Sequence, residues 1–262
     1  MHPAHYAVSY RASFKPELPA FFIGKLLKRK GRTVLDPFGG RGTTAFQANL
    51  MGHRAIHNDI NPVAVFLGRA RQIIPPVQTL VKRVKALDLS GEVDPAFGEV
   101  DRLLPFFHPE TLREILALRE ILRNSRFEDP ELNYIGLTAL SRLYGHSDGF
   151  FSVYTFPQIS ILPERQRLNN QRKGVAPEYK NVKDRIIRKL ERDVGRTLPD
   201  VYHQSSAQNA YLDCDARRIS YPDASIDLIV TSPPFLDKVD YVQDNWMRAW
   251  FLDVEADLAL RD

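Results

Sequence analysis

The chain holds a single cysteine, so an intramolecular disulfide is excluded. No stretch approaches 18 uninterrupted apolar residues, which argues against a membrane-spanning helix, and the N-terminus lacks the apolar core of a secretory signal. These absences lead to the expectation of a reducing, cytoplasmic setting. There are no internal repeats and no low-complexity tract. Seven histidines are scattered; His53 and His57 lie four apart, but on a predicted strand and without a Glu between them, so a zinc site is not expected. Two nucleotide signatures are also missing. Arg41-Gly42-Thr43-Thr44 has no Lys where a phosphate-binding P-loop needs one, and Gly40-Arg41-Gly42-Thr43-Thr44-Ala45 keeps only the first pair of the dinucleotide pattern G-x-G-x-x-G.

At 262 residues and 44% apolar, the chain has material for one large core and an added lobe. Thr33-Val34-Leu35 is a short β-branched and apolar run. It leads into Asp36-Pro37-Phe38-Gly39-Gly40-Arg41-Gly42-Thr43-Thr44 and then into the helix-favouring residues 45–51. Strand, glycine-rich turn and helix let a ligand approach bare backbone and a helix N-terminus. Gly52 ends that helix, and a second predicted strand leads to Asp59-Ile60-Asn61-Pro62. An acidic residue at that place, roughly 20 residues after the glycine turn, suits the two hydroxyls of a ribose. Asp36, standing before the glycines, favours a ligand with a positive amine over a pyrophosphate, and S-adenosylmethionine has such an ammonium group. An ordinary βαβ turn with a stray Asp is the plain alternative.

About two hundred residues downstream, the apolar run 226–231 ends in Ser232-Pro233-Pro234-Phe235. Two consecutive prolines fix φ and supply no N–H, so the carbonyls here cannot be absorbed into a helix. A stiff tip with a hydroxyl, a free carbonyl and an aromatic face can hold a planar, amino-bearing ring, as methylation of the exocyclic amine of a base requires.

Taken in order, these segments resemble the amino-directed DNA methyltransferases, with the γ-like motif order of that family. The match runs over residues 5–18, the Asp36-Pro37-Phe38-x-Gly40-x-Gly42-Thr43-Thr44 turn, Asp59-Ile60-Asn61-Pro62, Asp213-Cys214-Asp215-Ala216-Arg217 and Thr231-Ser232-Pro233-Pro234-Phe235. The resemblance implies an α/β, Rossmann-like fold with S-adenosylmethionine as cofactor. Asp36 and the Gly40–Thr44 loop, with Gly40, Gly42, Thr43 and Thr44, would hold its methionine end. Asp59 would take the ribose hydroxyls and Asp215 the adenine amine, with Phe38 and Ile60 packing nearby; Lys15, Pro37, Asn61 and Ala216 complete the cofactor-binding set. Ser232 and the Pro233 carbonyl, with Pro234, would accept the target amine. Phe235 would stack on a base turned out of a DNA duplex, since the amine cannot be reached in line within the helix. Cytosine N4 is favoured, because Ser before Pro-Pro is associated with it in that family; adenine N6, an RNA-directed enzyme and a non-catalytic nucleic-acid-binding subunit are the alternatives. No thiolate stands in the catalytic motif, as a C5-cytosine enzyme would need; Cys214 reads as a small buried core residue.

The net charge of +4 is unevenly spread: residues 161–198 carry eleven Lys/Arg and five Asp/Glu. Arg165, Arg167, Arg172, Lys173, Lys180 and Lys183 lie in a stretch that reads as loop leading to a helix, and form a candidate phosphate-binding footprint. They belong to an insertion between the ribose and adenine motifs. The domain reading is therefore a methyltransferase core of residues 1–75 and 200–262 with a mainly helical insertion, 76–199, serving target recognition or as a lid. Pro109-Glu110 starts one predicted helix and residues 130–144 form another, followed by the aromatics Phe150, Phe151, Tyr154 and Phe156. After Phe235 the remaining 27 residues read as one amphipathic helix, where the family continues with further strands. The resemblance therefore implies a fragment, half of a split enzyme, or a subunit whose sheet a second chain completes.

Overall fold

The computed structural model describes residues 1–91, 98–155, 160–193, 197–234 and 240–259. They form two compact units. The first comprises Met1–Ile74, Gly195–Tyr241 and Ala256–Asp262; the second Pro75–Val194 and Val242–Glu255.

The first unit is built on a parallel sheet of four strands, β1 Thr33–Asp36, β2 Arg54–Asn58, β3 Ala210–Leu212 and β4 Leu228–Ile229, in the order β3-β2-β1-β4. Parallel neighbours need crossover connections, which here contain α2 Thr43–Leu50 between β1 and β2, and α3 Pro62–Arg69 after β2. Val34 pairs with Ala55 and Leu35 with Ile56, and all four are buried, as expected of strands covered on both faces. Val34 and Ala55 join Ala45 and Ala48 of α2, Ile23 of α1 Glu17–Leu26 and Val230 in one apolar cluster. Small alanines on α2 let that helix sit close against the sheet. Order 3-2-1-4 reverses direction between β1 and β4, and in open α/β sheets such a reversal places the ligand cleft beyond the carboxyl ends of the strands.

Three side-chain ties hold those carboxyl ends together. Asn58, at the end of β2, donates from Nδ2 to the Pro37 carbonyl (3.1 Å) and the Cys214 carbonyl (2.9 Å), joining the tips of β1, β2 and β3. Thr231 donates from Oγ1 to Asp36 Oδ1 (2.6 Å), fastening the segment after β4 to the end of β1. Thr44 Oγ1 donates to the Val230 carbonyl (3.2 Å) and does the same from α2. Cys214 is half-buried rather than core, because its thiol reaches Asn58 Oδ1 (3.2 Å) at this strand end.

The second unit is helical. It contains α4 Val77–Ala86, α5 Glu99–Leu103, α6 Pro109–Asn124, α7 Pro130–Leu140, α8 Pro163–Lys173 and α9 Val182–Asp193. The helices α4, α6, α7 and α9 pack on one another. α9 shows why: Val182, Ile186 and Leu190 recur every four residues and are buried, while most of its charged residues stay outside. α7 stops four residues short of the predicted Tyr144, where the Ser141 and Arg142 side chains turn back onto local oxygens. Residues 163–173 are a helix, not the predicted loop. Pro163 opens it, and Gly174 in the left-handed region (φ 61°) closes it.

The chain then adds α10 Asp200–Ser206, on α2, and near its end α11 Tyr241–Asp244, α12 Trp246–Leu252 and α13 Glu255–Ala259. These last three replace the single predicted helix, with Asp253 in the left-handed region (φ 61°) after α12. Residues 242–255 belong to the helical unit rather than to the core: Trp246 Nε1 donates to the Ser160 carbonyl (3.1 Å), Arg119 pairs with Asp253 (2.8 Å) and Arg102 with Glu255 (2.7 Å).

Candidate active site

A cavity of about 200 Å³ lies where the strand order predicts, entirely within the first unit. Phe38, Gly39, Gly40, Arg41 and Thr43 line it from the turn after β1, and Asp59, Ile60 and Asn61 from the turn after β2. Ser232 and Pro234 come from the tip after β4, Tyr10 to Phe14 from the N-terminal segment, and Tyr241 from α11. The glycine turn, the acidic turn and the Ser-Pro-Pro tip, up to two hundred residues apart in sequence, therefore share one cavity.

The acidic turn is built by its own side chains. Asn61 caps α3, its Oδ1 accepting from Val63 N (2.9 Å), and Pro62 takes the first helical position, where no N–H is needed. Asp59 Oδ1 accepts from Asn61 N (2.9 Å), and Oδ2 reaches across to Gly40 N (2.8 Å). The carboxylate thus ties the second turn to the first while lining the cavity. Burial raises its pKa, against the pull of those two N–H groups. Phe38 and Ile60 are both exposed apolar side chains at the cavity wall, a flat lining suited to a planar ring.

The glycine turn is narrow for steric reasons. A Cβ on Gly39 would come within 2.3 Å of the His57 ring, and one on Gly42 (φ 77°) would lie 3.0 Å from Arg71 and 3.1 Å from the Gly68 backbone. At Gly40 a Cβ would instead point toward the Tyr10 ring, 3.8 Å away, across the cavity. Bare backbone faces open space there, as a bound nucleoside cofactor with a charged tail requires.

Other expected residues lie elsewhere. Asp36 is fully buried below the cavity rather than on its wall, with Oδ1 accepting from Thr231 Oγ1 (2.6 Å) and Phe38 N (3.2 Å). Burial pushes its pKa up to about 6, against those hydrogen bonds. Thr44 and Gly42 are buried, and Pro37 is half-buried; none of the three lines the cavity. Lys15 and the Pro233 ring are exposed, and neither residue is among those lining the cavity. Asp215 is occupied at the surface: it caps the turn at Ala216 through Arg217 N (2.9 Å) and pairs with the Arg217 guanidinium (2.5 Å), which holds its carboxyl down at about 2. Phe235 and Phe156 lie outside the described residues.

Sequence reading did not single out Tyr10 and Asn58, and took Arg41 and Thr231 only as members of the glycine turn and the Ser-Pro-Pro motif. Asn58 and Thr231 did carry a signal, a polar residue closing a buried strand. Among the described residues no group of three or more His, Cys, Asp or Glu could hold a metal ion.

The basic cluster divides in two. Arg167 donates to the Asp101 carbonyl (2.7 Å), Lys180 to that of Ser152 (2.8 Å) and Lys183 to that of Lys85 (3.2 Å), so these three fasten their own unit. Arg165 and Arg172 are exposed on α8 and flank Leu168, which is 64% exposed. Lys173 covers the exposed Tyr154 ring at 3.7 Å.

The sheet order and the cavity at its strand ends define an α/β protein with its ligand cleft at the switch point of a parallel sheet. In comparison with known proteins, the chain is similar to the Type II methyltransferase M.BsoBI of Geobacillus stearothermophilus, with 22% identity over 269 residues. The similarity covers 96% of this chain and 53% of that protein, so the chain spans about half the length of this relative. It supports a methyltransferase relationship without resolving the atom methylated. No family model and no solved structure matches the chain.

Proposed function

We propose that the chain is the catalytic core of an S-adenosylmethionine-dependent DNA methyltransferase of Rossmann-like fold, acting on an exocyclic base amine, with cytosine N4 favoured over adenine N6. One observation carries the reading. Asp59 and the Gly39-Gly40 backbone share a cavity with Ser232 and Pro234, so a cofactor on the first group faces a base held by the second. The relationship to a methyltransferase along nearly the whole chain agrees with this.

The cofactor would supply a methyl group already activated on a sulfonium, so the protein's contribution is to position and to exclude water. Asp59 would take the ribose hydroxyls, and Phe38 and Ile60 would flank the adenine. Ser232 Oγ and the Pro233 carbonyl accept hydrogen bonds from the amine, orient its lone pair and stabilise the positive charge that grows on nitrogen. Asp36 acts from below, holding the tip of β4 through Thr231. The exposed Arg165–Leu168–Arg172 face of α8, with Lys173 and Tyr154, contacts DNA phosphates.

The test is transfer of tritiated methyl from S-adenosylmethionine to duplex DNA and, in parallel, to structured RNA. The expected result is label on DNA, recovered in N4-methylcytosine on digestion, and at least a ~100-fold loss of rate for Ser232→Ala at unchanged cofactor affinity. Label on RNA alone overturns the reading, and label in N6-methyladenine transfers it to the alternative base.

A further inference from the structure

Arg41 stands between Gly40 and Gly42, and its side chain lines the cavity from inside the glycine turn. It is held from both walls. Its Nε donates to Thr43 Oγ1 (3.1 Å) at the start of α2, and Nη2 donates to the Phe14 carbonyl (3.4 Å) of the N-terminal segment. The guanidinium also lies over the Tyr6 ring at 5.8 Å. A guanidinium has five N–H donors, and these contacts use two.

Among the described residues no carboxylate pairs with Arg41. Asp59 accepts from Gly40 N and Asn61 N, and Asp36 is turned toward Thr231 and Phe38. Burial lowers the Arg41 pKa: the cation is drawn partly out of water without a counter-charge to offset the cost. Gly40, on the cavity side of Arg41, carries no side chain, so an anion can approach the fork directly. A polyphosphate is disfavoured, because Asp59 adds a negative charge on an adjoining wall of the same cavity.

We propose that Arg41 is the carboxylate anchor of the site, taking the α-carboxylate at the methionine end of the cofactor; the assignment rests on the reading of the cavity as an S-adenosylmethionine site. Arg41 thereby makes the site selective for the intact amino-acid tail over nucleosides that lack the carboxylate.

Calorimetry with two ligands differing only in that group tests this: S-adenosylmethionine and its decarboxylated form, each titrated into the wild-type chain, Arg41→Ala and Arg41→Lys. The wild type is expected to prefer the intact cofactor by about tenfold or more, as for a lost charge-assisted hydrogen bond. Arg41→Ala loses that preference by weakening only the intact cofactor, and Arg41→Lys keeps part of it. Equal weakening of both ligands makes Arg41 a structural residue and overturns the proposal, as does an Arg41→Ala chain that binds like wild type. If Arg41→Ala fails to fold, the wild-type preference and Arg41→Lys decide: no preference overturns the proposal. A wild type that binds neither ligand removes the cofactor site itself, an outcome distinct from the others.

Discussion

Asp59 joins two turns and presents negative charge to the cavity, so its replacement separates shape from charge. Asp59→Asn can still accept one of the two backbone N–H bonds, whereas Asp59→Ala frees both Gly40 N and Asn61 N. Affinity for S-adenosylhomocysteine is expected to fall about tenfold for Asn and roughly a hundredfold for Ala, as charged hydrogen bonds are lost; calorimetry reads both, and unchanged affinity removes Asp59 from the site. Asp36 titrates in the opposite sense to the buried histidines. Its pKa is pushed up from 3.8 to about 6, so between those values the folded chain keeps a proton that the unfolded chain releases. Its contribution to stability therefore falls as pH rises through that window. His57 and His5 are lowered from 6.5 to about 4 and about 3, chiefly by burial. The unfolded chain protonates these first, so their contribution is lost as pH falls from 6.5. Asp36→Asn removes the opposing contribution, and stability should climb between pH 4 and 6 more steeply than in wild type, by about 1–2 kcal/mol. Urea unfolding at several pH values measures it; parallel curves contradict it.

At the scale of elements, the glycine turn keeps its shape because the His57 ring fills the space behind it. A Cβ on Gly39 meets that ring at 2.3 Å, and the ring is backed by Gly68, where an added Cβ would lie 3.1 Å from it. The ring has no room to retreat. Gly39→Ala should destabilise the chain by about 1–3 kcal/mol, the range for overpacking, and a denaturation midpoint equal to wild type would show that the turn yields. The turn, β1, α2 and the acidic turn were legible in sequence, because glycines, an N-cap and Pro at the first helical position each have a local cause. The starts of α6 and α7 were legible for the same reason: His108 and Asp129 cap them and proline follows each. α8 was not, although Pro163 and Gly174 bracket it, because its Gln, Asn and Arg side chains hide any apolar period. The break between α12 and α13 was not legible because the left-handed Asp253 has no glycine to announce it.

For the whole molecule, sequence order gave the strand-end cavity, but not which residues face it. Asp36 and Asp215 read as ligand contacts from their motifs, whereas the fold spends the first on Thr231 and the second on Arg217. Such assignments depend on side-chain direction at a strand end, which no spacing rule supplies. The basic stretch was legible as charge alone, and the structure divides it into fastening and exposed residues. If Arg165 and Arg172 touch phosphates, the double alanine variant should weaken DNA binding and reduce the slope of log K against log salt by about 2, while Lys183→Ala leaves the slope unchanged. Fluorescence anisotropy across salt concentrations reads both, and equal slopes for wild type and double variant contradict the contact. The central claim, that one cavity joins cofactor and target amine, is tested most directly by a crystal structure with S-adenosylhomocysteine. The account predicts the ribose on Asp59 and the sulfur between the Gly40 backbone and Ser232 Oγ. A nucleoside bound away from these residues, or a cofactor walled off from Ser232, would contradict it.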